Sequence, residues 1–226
     1  MRHDRGNILF LILLAVVLFA ALSYAVTSSM RGGALEGIPK EKAASLAALI
    51  MQNANMIEQQ IMRVRTVDGV PEWGFDLKGT NTTSSTNATC TAANCRIFSD
   101  QGGTIPSLTL PDWAFLPPTS YGTTNQFRIV QIVNVGTAAP ELTYTFHHLR
   151  KEVCDAINSA LGLTTALSPQ EYYNGTSTIF YSGTMTSFPG TDQILGEENT
   201  SLAGRTTFCF SHPTAGYVFV HTIIAR

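Results

Sequence analysis

Nineteen residues without a charge, Ile8 to Val26 (ILFLILLAVVLFAALSYAV), follow the short basic leader MRHDRG. A helix of roughly 20 apolar residues, rising about 1.5 Å per residue, covers the hydrocarbon core of a bilayer, so this run sits at the threshold for an anchor. Arg2 and Arg5 precede it and only Arg31 follows closely, which by the positive-inside tendency keeps the N-terminus cytoplasmic and sends the remainder across. Secretory signal cores are shorter, about 7–15 residues, and Ala20, Ala21 and Ala25 form only a loose small-residue cleavage pattern. A retained segment is therefore favoured over a conventional signal peptide, with all that follows carried as cargo.

Beyond the run, Gly32, Gly33, Gly37 and Pro39 make continuous helix unfavourable and predict a break near residues 32–39. Apolar residues then recur at three- and four-residue steps: Ala43, Leu46, Ala47, Ile50, Ala54, Ile57, Ile61 and Val64. This is one stripe of an amphipathic helix, with Glu41, Lys42, Gln52, Asn53, Asn55, Gln59 and Gln60 opposite. Packing against a head domain explains the stripe, with inter-subunit packing as the competing use.

Residues 65–226 form that head. Gly79 to Cys95 is a polar low-complexity tract expected to be exposed and mobile. Leu108 to Pro118 reads as an ordered loop pinned by buried aromatics including Trp113. Phe127–Val135 and Leu142–His148 predict an antiparallel hairpin turning through Gly136–Pro140. A helix follows, carrying Leu149, Val153, Ile157, Ala160 and Leu161 and ending at Gly162; a further helical start is expected at Ser168–Glu171. Ser177–Tyr181, Thr206–Ser211 and Tyr217–Ile224 are candidate strands. The fold class expected is α+β: a long N-terminal transmembrane and amphipathic helix over residues 7–64, then a mostly antiparallel β-sheet head with one or two short helices.

Four cysteines suit the oxidising side of a membrane. Cys90 and Cys95 can close a small ring, and no second ligand pair follows that would make a metal site of them. Cys154 with Cys209 would enclose 54 residues, a bond worth about 4 kcal/mol in the loop-entropy picture. Of three possible connectivities, 90–95 with 154–209 is preferred.

Charged residues are only 13% of the chain and net charge is -2, so the clustered cations needed to capture nucleic acid are lacking. No HExxH, GxSxG, phosphate-binding glycine loop or paired CxxC occurs. His147 and His148 adjoin on a strand and face opposite sides, and each histidine reads as a surface or structural residue. No enzyme, cofactor or metal is expected. Asn81, Asn87, Asn174 and Asn199 head N-glycosylation patterns, which keeps a eukaryotic type II membrane glycoprotein open as an alternative.

The leader ending in Gly6, the apolar run directly after it, the amphipathic continuation, the β-rich head and the C-terminal cysteine pair together resemble a type IV pilin or pseudopilin. The resemblance implies cleavage by a prepilin peptidase between Gly6 and Asn7, leaving 12 basic and 15 acidic groups. It also implies assembly with other pilin-like subunits through the N-terminal helix. The expected location is the inner membrane with an extracytoplasmic head, or an extracellular filament of a type IV pilus or type II secretion pseudopilus. Family members begin the mature chain with Phe or Met and carry glutamate at its fifth residue; Asn7 and Leu11 stand there here. That glutamate neutralises a neighbour's α-amino group in an apolar bundle, where an unpaired charge costs several kcal/mol, on the order of 3 or more. Leu11 therefore points to a minor or tip component. The alternative is a membrane-anchored binding protein that does not assemble.

Overall fold

The computed structural model describes residues 10, 12–23, 38–79, 86–116, 125–163, 180–185, 194–197, 199–213 and 215–226. The chain divides into two compact units, Met1–Pro39 and Lys40–Arg226. In the first, residues 10 and 12–23 are helical. Gly6, Asn7, Leu11 and the Ser168–Glu171 start lie outside the described residues.

The expected long N-terminal helix is corrected by the structure. Among the described residues, no helix is long and apolar enough to cross a membrane. The next helix, α1 (Lys40–Val67), has the length but carries Lys40, Glu41, Lys42, Glu58, Arg63 and Arg65.

In the second unit, α1 buries Ala43, Leu46, Ala47, Ile50, Ala54, Ile57, Ile61 and Val64, the stripe that the periodicity predicts. Asn53 is buried with them, although its side chain belongs by polarity to the opposite face. The sheet comprises β1 (Asn125–Ile132), β2 (Glu141–Leu149), β3 (Ile194–Leu195), β4 (Thr207–His212) and β5 (Gly216–Ile224) in the order β3-β1-β2-β5-β4. β1, β2, β5 and β4 pair antiparallel, while β3 adds to β1 in parallel, so the sheet is mixed. β3 is two residues long and carries no alternation that a sequence pattern could register.

Side chains alternate across a strand, so each strand offers residues to both faces. On the face toward α1 and the shorter helix α2 (Lys151–Ala160), aromatic rings run across three strands. Phe127 and Tyr144 lie 4.9 Å apart, Tyr144 and Phe146 5.2 Å apart, and Phe146 and Phe219 6.4 Å apart. On the other face Val130, Ile132, Phe208, Phe210, Val218 and Val220 pack with Leu163, Leu195 and Leu202. Both faces of β1 and β2 are buried: β1 sets Ile129 and Val130 on opposite faces, while β2 alternates Leu142, Tyr144 and Phe146 with Thr143, Thr145 and His147. The hairpin turn holds Gly136 at φ 60, where a Cβ would run into the backbone of Arg226.

Both disulfides form as Cys90–Cys95 and Cys154–Cys209. The second ties α2 to the edge strand β4, and one turn along α2 Asn158 reinforces it. The Asn158 Nδ2 donates to the Cys209 carbonyl at 2.8 Å and its Oδ1 accepts from the Cys209 amide at 2.9 Å. One side chain thus supplies both hydrogen bonds that a further strand would offer at that point on the sheet edge, where unpaired backbone groups invite foreign strands.

Two loops differ from expectation. Within the polar tract, Asn87 is buried and donates to the carbonyls of Trp73 and Phe75, both at 2.8 Å. Its amide is committed to the fold, so the Asn87 pattern is not a free glycosylation acceptor. In the Leu108–Pro118 loop, Phe115 is buried but Trp113 is 42% exposed, with Lys42 of α1 5.9 Å from its ring centroid. A cation over the indole face replaces burial as its contact.

Replacing Asn158 with Ala leaves the Cys209 amide and carbonyl without partners in a site closed to water. The oxidised variant should lose about 2–3 kcal/mol in chemical denaturation; unchanged stability would show that this clamp contributes nothing.

Candidate functional site

Three groups of hydrogen bonds lie at or beside the seat of α1 on the sheet, two of them fastening helix residues to strands. Midway along α1, the Tyr144 hydroxyl donates to Asn53 Oδ1 at 2.9 Å and accepts from Asn125 Nδ2 at 2.9 Å. Burial pushes the Tyr144 phenol above its ordinary range, offset in part by Asn125, so it stays a neutral hydroxyl. Asn53 lies three residues after Ile50 and four before Ile57, inside the arc of the apolar stripe. Helical spacing therefore placed it inward, and its polarity misdirected the assignment.

One and a half turns further, His221 of β5 stands between α1 and β4. Its Nε2 lies 3.1 Å from Glu58 Oε2 and its Nδ1 lies 2.7 Å from Thr207 Oγ1. Burial lowers the His221 pKa and the Glu58 carboxylate opposes that shift. The neutral ring donates from Nε2 to Glu58 and accepts the Thr207 hydroxyl proton at Nδ1, an assignment that follows from the partners. Beyond the helix, Glu72 accepts from Arg65 at 2.8 Å and lies 3.4 Å from the Arg226 guanidinium, while the Tyr181 hydroxyl donates to its carbonyl.

Hydroxyl, imidazole and carboxylate in sequence have the hydrogen-bond order of a nucleophilic triad. Acyl transfer also needs a space beside the hydroxyl and donors aimed at the developing oxyanion. The described cavity near this sheet lies on the opposite face, among Arg128, Val130, Thr145, His147, Leu195, Phe210, Val218 and Val220. At about 10 Å³ it has room for roughly one water molecule. Glu58, His221 and Thr207 link α1, β5 and β4 as a strut between helix and sheet. Among the described residues, no cluster of three or more His, Cys, Asp or Glu could hold a metal ion.

His147, His148, His212 and His221 are all buried, which corrects any surface reading. Glu141 is buried as well. Its Oε2 accepts from the Ile132 amide at 2.9 Å and its Oε1 has no hydrogen-bond partner. Burial raises its pKa to about 7, against the lowering effects of the backbone amides of Ile132 and Glu141 and the charge of Arg226.

The outer face of α1 has the opposite character. Ala44, Ser45, Ala48, Leu49, Gln52 and Asn55 are exposed, and no charged residue occurs from Ala43 to Ile57. Leu49 is 42% and Met62 44% exposed. Solvated helix faces usually carry charges, whereas small and uncharged side chains allow a second helix to approach closely. Of the residues expected to matter from sequence, the structure pairs the four cysteines; the processing and assembly positions Gly6, Asn7 and Leu11 are not among those described. No protein-family model, curated protein or solved structure matches this chain.

Since the folded-state pKa of Glu141 is raised from 4.5 to about 7, the folded protein holds a proton that the unfolded chain releases. Its favourable contribution is complete below pH 4.5 and is lost as pH rises through 7. Glu141→Gln should therefore be more stable than wild type by about 2–3 kcal/mol at pH 8, with the difference vanishing near pH 4.5. Urea titrations at the two pH values check this, and a pH-independent difference would contradict it.

Proposed function

We propose that the chain is a pilin-like structural subunit, a minor or tip component of a type IV pilus or secretion pseudopilus, with no catalysis of its own. The observation that carries this reading is the uncharged exposed face of α1, in a chain where an apolar run and a glycine-terminated basic leader come before it. A subunit that stacks by its N-terminal region needs a face that neighbours can cover without burying unpaired charge. The residues from Ala43 to Ile57 meet that need.

In this reading a prepilin peptidase cuts between Gly6 and Asn7, and the N-terminal apolar stretch holds the subunit at the membrane before assembly. The head lies outside the cytoplasm, in keeping with its two disulfides. Partners are other pilin-like subunits, and nucleic acid is not among them. Leu11, where a glutamate would neutralise a neighbouring α-amino group, argues against a self-stacking major subunit. The strut and the Tyr144 hydrogen bonds then serve to hold α1 at a fixed angle on the head, so that load on the helix reaches the sheet.

The test is the mass of the mature N-terminus from the native host. A chain beginning at Asn7 supports the proposal; an intact Met1 would favour an anchored protein that does not assemble, and a cut near Ala25 would favour an ordinary secreted one.

A further inference from the structure

We propose that the end of the β4–β5 hairpin is an acid-released latch on β2, closed by the neutral forms of His148 and His212 and loaded by His147. This inference is independent of the filament reading.

The latch is built from backbone contacts at an irregular point of the sheet. The register of β2 against β5 shifts between Phe146 and Leu149, and His148 sits there at φ 58. The His148 amide donates to the Ala215 carbonyl at 3.0 Å, and the His148 carbonyl accepts from the Leu116 amide at 2.7 Å. Gly216, at φ 65, approaches so closely that a Cβ there would lie 3.4 Å from the His148 Cα. The hairpin end is held in turn by its own histidine: the Ala215 amide donates to His212 Nδ1 at 2.9 Å.

That last bond contains the switch. A neutral imidazole accepts at Nδ1 only while that nitrogen lacks a proton, and protonation places a second N–H where the Ala215 amide already points. Acid thus converts the bond that shapes the hairpin end into a contact between two donors. His147 is buried beside this point with no hydrogen-bond partner at Nε2. The charged groups bearing on His147 are Arg128 of β1, His148 and His212, and the group bearing on His148 is His212. Each is cationic when charged. Burial and these neighbours keep both β2 histidines below the ordinary histidine range, His147 well below it.

Two other elements reach the site. The turn Asp112–Ala114 precedes Leu116 and brings Asp112, which is exposed. The start of α2 brings Arg150, Lys151 and Glu152, and Lys151 is paired with Asp155. Neither carboxylate of these elements is among the groups bearing on His147 or His148. Protonation below about pH 6.5 therefore favours any state in which the hairpin end leaves β2 and the imidazoles reach water.

Hydrogen exchange on the full-length protein in detergent tests the latch, read as protection relative to the intrinsic rate at each pH. Between pH 7.5 and 5, peptides covering Leu116, His148 and Ala215 should lose protection by about tenfold or more, while the α1 peptide from Leu46 to Ile61 keeps its own. The double variant His148→Asn, His212→Asn removes two titrating groups conservatively. Asn tolerates positive φ, and its side-chain oxygen can accept the Ala215 amide proton. Its loss over the same interval should be at most about threefold. Constant protection in the wild type would overturn the proposal. So would simultaneous loss in α1, or an undiminished loss in a folded double variant. Should the double variant fail to fold, the wild-type comparison of hairpin end against α1 still decides between local release and none.

Discussion

Everything in the head depends on burying one stripe of α1 against one face of the sheet. Ile50, Ile57 and Ile61 are wholly removed from solvent, and each such side chain contributes about 1.5–3 kcal/mol relative to exposure. Apolar contact alone leaves a helix free to slide or rotate by small amounts. The Asn53–Tyr144–Asn125 and Glu58–His221–Thr207 sets remove that freedom, because an unmet buried hydrogen bond penalises any other register. Packing supplies the stability and the polar contacts supply the position.

The opposite edge of the sheet is governed by the same logic. The Cys154–Cys209 bond fixes α2 to β4, and Asn158 occupies the backbone groups that would otherwise attract another strand. A disulfide holds distance, whereas the amide clamp holds orientation. The outer face of α1, by contrast, is left open.

Much of this arrangement was legible in the residues. The 3.6-residue period marked every apolar member of the α1 stripe, and the turn residues around Gly136 marked the β1–β2 hairpin. The even number of cysteines and the closeness of Cys90 to Cys95 supported the pairing that forms. What escaped was long-range or polar. Asn53 and Asn158 satisfy partners 91 and 51 positions away, which no local pattern encodes. β3 is too short to show alternation, and Trp113 finds a cation instead of a core. The largest departure concerns the N-terminal region. The apolar run Ile8–Val26 suggested a membrane-spanning helix, yet among the described residues no helix is long and apolar enough to cross a membrane. The candidate site was less legible still, since the Glu58–His221–Thr207 strut joins three elements that only the fold brings together.

The central claim is that the outer face of α1 meets another subunit. A benzophenone amino acid placed at Ala48, on that face, and at Glu197, exposed elsewhere on the head, addresses it directly when irradiated in native cells. The account predicts a discrete adduct from position 48 whose mass-spectrometric partner is a protein with its own N-terminal apolar run, and none from position 197. Adducts of equal yield from both positions, or none from position 48 in cells that bear the filament, would contradict it.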